Sequence, residues 1–168
     1  MLQKAAARTD GLSGLESGFH ALDKMTSGWQ NSDLVIIAAR PAMGKTAFVL
    51  SMAKNMAVNA KIPVALFSLE MSNVQLVNRM IVNVCEIPGE KIKSGQLAPY
   101  EWGQLDYKIK ELYDAPMYVD DTPSLSVFEL RTKARRLVRE HGVKIIIIDY
   151  LQLMNASGMS FGLSLIHI

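Results

Sequence analysis

Gly44-Lys45-Thr46 stands between two stretches of opposite character, and that junction restricts the chain more than any other feature. Before it, Leu34-Val35-Ile36-Ile37-Ala38 is an apolar run of strand length and strand residue type. After it, Ala47 to Ala57 contains neither Gly nor Pro and reads as a helix. Strand, tight loop and helix bring backbone N–H groups and the positive end of a helix to one point, a cradle for an anion. The cradle residues are Ala39-Arg40-Pro41-Ala42-Met43-Gly44-Lys45-Thr46, with Ala47 next on the helix. In such a phosphate-binding loop Gly44 lets the backbone approach the ligand closely. Lys45 reaches the β- and γ-phosphates, and the Thr46 hydroxyl sits on Mg²⁺. Ala39 stands where a first Gly is expected, and its methyl group is small. The competing explanation is a chance Gly-Lys-Thr at a helix start. The strand before and the helix after favour nucleotide binding.

A chain of 168 residues is one domain or a piece of one. With 49% hydrophobic and 20% charged residues it has the composition of an ordinary globular protein. A net charge of +2 is too small to argue for nucleic acid by itself. The one cysteine, Cys85, excludes an internal disulfide framework, fits a reducing compartment, and has the apolar neighbours of a buried thiol. The apolar runs are too short to span a bilayer and the N-terminus lacks a hydrophobic signal region, so a cytoplasmic protein without membrane contact is expected. Asn155-Ala156-Ser157 fits a glycosylation pattern, which has no use without a secretory signal.

Beyond Pro63, Val64-Ala65-Leu66-Phe67-Ser68 reads as a second strand buried on both faces. Strand, helix, strand with short connections predicts a βαβ unit and a parallel sheet. Glu70 lies just past that strand, on the sheet edge where ligands gather. A carboxylate there suits orientation of the water that attacks a γ-phosphate. It equally suits a solvated loop, and the residues alone leave the two open.

Ser72-Asn73-Val74-Gln75 is a capping box, followed at helical spacing by Leu76, Val77, Met80, Ile81 and Val84. A short helical segment is expected over 90–95. In the next helix Trp102, Leu105, Ile109 and Leu112 line one face, which predicts core packing over base stacking. Met117-Tyr118-Val119 predicts a brief strand. Asp120 and Asp121 after it point in different directions, which suits a loop or helix start better than a metal pair. A second capping box, Ser126-Val127-Phe128-Glu129, opens a helix that buries Val127, Leu130, Ala134, Leu137 and Val138 and stops at Gly142. Its other face carries Arg131, Lys133, Arg135, Arg136 and Arg139, read as a solvated surface. His20 has no companion at metal-ligand spacing.

Lys144-Ile145-Ile146-Ile147-Ile148-Asp149 is the second strong signal. Four isoleucines predict a central strand covered on both faces. The acid at its carboxyl end matches the metal-holding partner of the phosphate loop, so Asp149 is expected to hold Mg²⁺ through water. Gln152 follows on the same edge, placed to contact phosphate or relay a signal.

With these residues in hand, the chain resembles a replicative DNA helicase of the DnaB type, within the RecA-like family. The resemblance covers residues 1–162. It rests on Leu12 to Phe19, Ala38 to Thr46, Phe67-Ser68-Leu69-Glu70-Met71 and Ile148-Asp149-Tyr150-Leu151-Gln152-Leu153-Met154. That family also has Ala at position 39. The resemblance implies an α/β, RecA-like fold, a mainly parallel sheet flanked by helices and here incomplete at its C-terminus. It implies that Glu70 is the catalytic carboxylate, acting with Lys45, and that ATP and Mg²⁺ are the ligands. Implied partners are single-stranded DNA, a homohexamer formed through a linker helix and the ATP interface, primase and a helicase loader. Residues 1–11 resemble the end of that linker helix, and 12–162 a partial ATPase domain.

The family's later strands, sensor segment, DNA-binding loops and arginine finger do not occur in these 168 residues. The final Leu163-Ser164-Leu165-Ile166-His167-Ile168 is what a transposase adapter used in library preparation encodes, so 163–168 is set aside as a sequencing scar. Slow hydrolysis and poor solubility are therefore expected of this piece by itself. Two other readings compete: another RecA-like ATPase of the recombinase or clock type, or a nucleotide-binding assembly piece without turnover.

Overall fold

The computed structural model describes residues 12–154. The linker-helix expectation at 1–11, the glycosylation pattern at 155–157 and the 163–168 segment lie outside the described residues.

The sheet is built around β1, Val64–Ser68, whose five residues are all buried. It pairs in parallel with β2, Met117–Asp120, on one side and β3, Ile145–Asp149, on the other, giving the order β2-β1-β3. Alternation places successive β1 side chains on opposite faces. Val64 and Leu66 join Leu50, Met56, Leu76, Met80 and Ile147 in one core cluster. Ala65 and Phe67 join Leu125, Leu130 and Val143 in the other. Both faces are covered, which is why the strand is continuously apolar instead of alternating.

The helices follow the local signals. α1 is a short helix, His20–Thr26. The buried Asp23 carboxylate on it accepts the Ser17 and Gly18 N–H groups at 2.7 and 3.1 Å. α2, Lys45–Lys54, continues into one wider π-helical turn, Asn55–Asn59, where the Ala60 N–H reaches back five residues to the Asn55 carbonyl. Phe19 stacks on Phe48 of α2 at 4.9 Å, and Gly18 lies so close to Asn55 that a Cβ would meet it at 2.3 Å. These contacts tie the Gly-punctuated entry to α2 and the turn that continues it.

α3, Asn73–Cys85, buries Leu76, Met80 and Val84, while Val77 is exposed and Ile81 half-buried. Cys85 is buried, and burial pushes its thiol above the ordinary value. α4 spans Gly89–Ser94 and α5 spans Pro99–Tyr113. On α5 the structure corrects the sequence reading. Trp102 is 53% exposed, and the buried residue of the first turn is Glu101, which accepts the Ala98 N–H at 2.8 Å and pairs with Lys91 at 2.6 Å. α6, Val127–His141, opens with Ser126 accepting the Glu129 N–H and closes on Gly142 at φ +64°. Leu130 and Ala134 are buried there, but Val138 is exposed.

Two strand expectations are also corrected. Leu34–Ala38 joins no ladder and is exposed, with Ile36 at 80%. β3 is accordingly not central: it forms an edge of the described sheet, and Ile146 is 40% exposed. The physical reason is shared. A strand needs a hydrogen-bonded neighbour, and the far side of β3 has none among the described residues. Leu34–Ala39 and Ile145–Asp149 instead line one cavity of about 770 Å³.

Candidate nucleotide site

The loop before α2 holds its shape without a paired strand behind it. Gly44 takes φ +83° at the helix N-cap, a left-handed conformation that costs an L-residue roughly 1–2 kcal/mol. A Cβ on Gly44 would meet no protein atom within 4 Å, so within the chain itself the glycine is favoured by its backbone angle and not by crowding. Ala42 also takes a positive φ of 61°, and the Met43 N–H closes a turn on the Arg40 carbonyl at 3.3 Å. Residues 39–44 are exposed, so Ala39, Arg40, Pro41, Ala42, Met43 and Gly44 form an open rim in front of the helix. Lys45 and Thr46 are half-buried in the first helical turn and Ala47 is exposed beside them.

Across the site, Asp149 ends β3 and is buried. The Thr46 hydroxyl donates to its Oδ2 at 2.8 Å, joining residues 103 apart in sequence. One hydroxyl and one carboxylate are hard oxygen donors. Among the described residues no group of three or more His, Cys, Asp or Glu could hold a metal ion. That donor set fits a magnesium ion, which takes one or two protein oxygens and fills its remaining positions with phosphate and water.

Glu70 is exposed, two residues beyond Ser68. Ser68 and Asp149 are register partners, and the Leu69 N–H extends the ladder to the Asp149 carbonyl at 2.8 Å. Glu70 thus sits at the carboxyl end of β1, on the same sheet edge as Asp149, where the parallel arrangement directs ligands. Gln152 lies on a 3₁₀ turn, Leu151–Leu153, exposed and lining the same cavity as Lys45 and Asp149.

Two residues given no role by sequence reasoning, Tyr150 and Ser68, enter here, and Asp121, expected in a loop or at a helix start, acquires a distant partner. The Lys45 ammonium lies over the Tyr150 ring, 5.4 Å from its centroid, within cation–π range. The Ser68 hydroxyl donates to the Met71 carbonyl at 2.8 Å and accepts the Met71 N–H at 3.2 Å. Asp121 accepts the Asn73 N–H at 2.7 Å. Tyr150 was within reach of sequence reasoning, since it adjoins the Asp149 acid. The Asp121 contact spans 48 residues and left no local signal. The neighbouring acids do point apart: Asp120 accepts from Lys133 at 2.7 Å and from the Thr122 N–H at 3.0 Å.

Residues 14–162 match the family model described as the DnaB-like helicase C terminal domain. The chain is 49% identical over 149 residues to the replicative DNA helicase DnaB of Geobacillus stearothermophilus, covering 89% of this chain and 33% of that protein. It is 45% identical over 153 residues to the replicative DNA helicase DnaC of Bacillus subtilis, covering 91% and 34%. The chain thus spans about a third of the length of these relatives. Among solved structures, a DnaB-like replicative helicase, described with its interactions with primase, superposes with a TM-score of 0.86 at 35% identity, covering 95% of this chain and 40% of that one. A second solved structure, described as an ATPase domain, gives the same TM-score and identity over 95% of this chain and 57% of that one.

Proposed function

The chain belongs to the DnaB-like helicase C-terminal domain family and has its RecA-like fold, and from that premise we propose that it is part of the motor of a replicative DNA helicase. In this reading ATP is hydrolysed by in-line attack of water on the γ-phosphate, and the free energy drives movement along single-stranded DNA and unwinding of the duplex. The observation that best supports it is the 2.8 Å contact between Thr46 and Asp149, which brings the phosphate-loop helix and the acidic strand tip to one point.

The residues divide the work. The N–H groups of the loop and of the first helical turn bind phosphate oxygens, with Lys45 offsetting their charge. Thr46 and Asp149 would hold Mg²⁺, whose charge would draw electron density from the γ-phosphate. Glu70 orients the attacking water and draws on its proton. Gln152 sits at the cavity wall where it reports on the phosphate end of the ligand.

The hexamer, the cytoplasmic location, and docking of primase and a loader belong to the same proposal. Its support is the family and, for primase, the solved relative described with its interactions with primase. Among the described residues no helix is long and apolar enough to cross a membrane.

ATP turnover and duplex unwinding by the full-length protein test the reading. Glu70→Gln is expected to lower turnover by roughly 10²-fold or more while leaving nucleotide bound. Lys45→Ala is expected to lose nucleotide binding as well. Wild-type turnover in both variants would defeat the assignment.

A further inference from the structure

Glu70 projects from a turn whose backbone is tied down on both sides. The Leu69 N–H is held by the Asp149 carbonyl at 2.8 Å and the Met71 N–H by Ser68 Oγ at 3.2 Å. The Ser72 N–H is held by Gln75 Oε1 at 3.2 Å and the Asn73 N–H by Asp121 Oδ2 at 2.7 Å. Two of these four acceptors come from elsewhere in the chain. Asp149 belongs to the adjacent strand tip, and Asp121 follows β2. Asn73 is the first residue of α3, so Asp121 supplies the acceptor for the first N–H of that helix. The loop bearing Asp121 is anchored in turn, since Asp120 beside it is gripped by Lys133.

We propose that Ser68 and Asp121 are positioning residues for Glu70: together they clamp the turn from Leu69 to Asn73 so that its carboxylate meets the phosphate site in one orientation. Ser68 acts from inside. It is buried at 1% exposure, and its hydroxyl both donates to and accepts from Met71, bridging the turn directly beneath Glu70. Asp121 acts from outside, fixing where α3 begins. Glu70 itself stays exposed, open to a ligand. A functional group carried on a fixed backbone is what pre-organisation requires, because a group displaced by about 1 Å can lose up to roughly 10²-fold in rate. Neither residue touches the reacting atoms.

This inference rests on the reading of Glu70 as the water-orienting carboxylate, and the test separates the two. ATP turnover and nucleotide affinity are measured in the full-length protein for Ser68→Ala, Asp121→Ala and Asp121→Asn. Each is made alone and with Glu70→Gln. Ser68→Ala and Asp121→Ala are expected to lower kcat about tenfold or more, within the range for small displacements, with nucleotide affinity kept. Asp121→Asn retains an oxygen acceptor and is expected to keep most of the turnover. In the Glu70→Gln background none of the three should lower the rate further, because the group being positioned is gone. Wild-type kcat in both alanine variants would overturn the clamp while leaving Glu70's role intact. A parallel fall in nucleotide affinity, or a further loss in the Glu70→Gln background, would also overturn it. Wild-type turnover in Glu70→Gln itself would overturn the underlying reading and the clamp with it.

Discussion

Leu34-Val35-Ile36-Ile37-Ala38 and Val64-Ala65-Leu66-Phe67-Ser68 are nearly the same segment in composition, yet they end in opposite environments. The second is the centre of the sheet, with a parallel neighbour on each side and Val64, Ala65 and Phe67 at 0% exposure. The first has no ladder partner, and Leu34 to Ile37 are between 39% and 80% exposed. Each leads to a loop of the candidate site: the Gly44 loop after the first, the Glu70 turn after the second. The loop after the unpaired run keeps its geometry because its constraints lie ahead of it, in Gly44 at φ +83° and in the Thr46 contact to Asp149. The turn after the paired strand keeps its geometry through the sheet itself. An apolar run therefore states a capacity for burial, and its neighbours decide whether that capacity is used.

The largest contrast should appear in stability. Phe67→Ala removes a fully buried ring from β1 and is expected to destabilise by about 3–5 kcal/mol. Ile36→Ser alters a residue 80% exposed and is expected to change stability by no more than about 0.5 kcal/mol, while reducing the apolar surface that favours aggregation. Urea unfolding of the 168-residue chain measures both. Equal losses would break the comparison, since they would mean that Leu34–Ala38 is as well packed as β1.

A smaller effect is expected where the open flank meets the phosphate loop. Removing the ring in Tyr150→Leu should weaken nucleotide binding about two- to fivefold, the size of a partly exposed cation–π contact. Tyr150→Phe keeps the ring face and should bind as the wild type. Nucleotide titration distinguishes them, and equal affinity for Phe and Leu would remove the ring from the account.

The smallest lies at the β2 end of the sheet. Burial pushes the Asp120 carboxyl up, but hydrogen bonds from Lys133 and Thr122 outweigh it and hold it below the usual aspartate range. A carboxylate depressed in the folded state adds stability that is present above the unfolded value of about 3.9 and lost as pH falls through the folded one. Both partners are partly exposed, so the contribution is about 0.5 kcal/mol. Unfolding curves from about pH 6 to about pH 3 should show this component in the wild type and not in Asp120→Asn. An identical acid profile for both would remove Asp120 from the balance.

What could be read from the residues is what depends on near neighbours. Ser72 with Gln75 starts α3, Ser126 with Glu129 starts α6, and Gly142 stops it, each through groups within a turn. The span of β1 and the Gly44-Lys45-Thr46 helix start were legible for the same reason; the sheet is parallel as expected, but through β2 and β3 and not through Leu34–Ala38. Trp102 was misread because helical spacing identifies a shared face without saying which neighbour, if any, covers it. The four isoleucines of β3 were read as a centre because apolar content does not tell a paired edge from an unpaired one.

By itself, then, the sequence determined the helix starts and stops, the Gly44-Lys45-Thr46 turn ahead of α2, and the acids at two strand tips. Only the tertiary structure decided that β1 is the middle strand, that Leu34–Ala38 stands outside the ladder, and that Thr46 meets Asp149. It alone brought Lys45 over Tyr150 and set Asp121 at the start of α3. The physical reason is range: caps and turns close within a few residues, whereas ladder partners and side-chain contacts between distant segments exist only after the sheet has assembled.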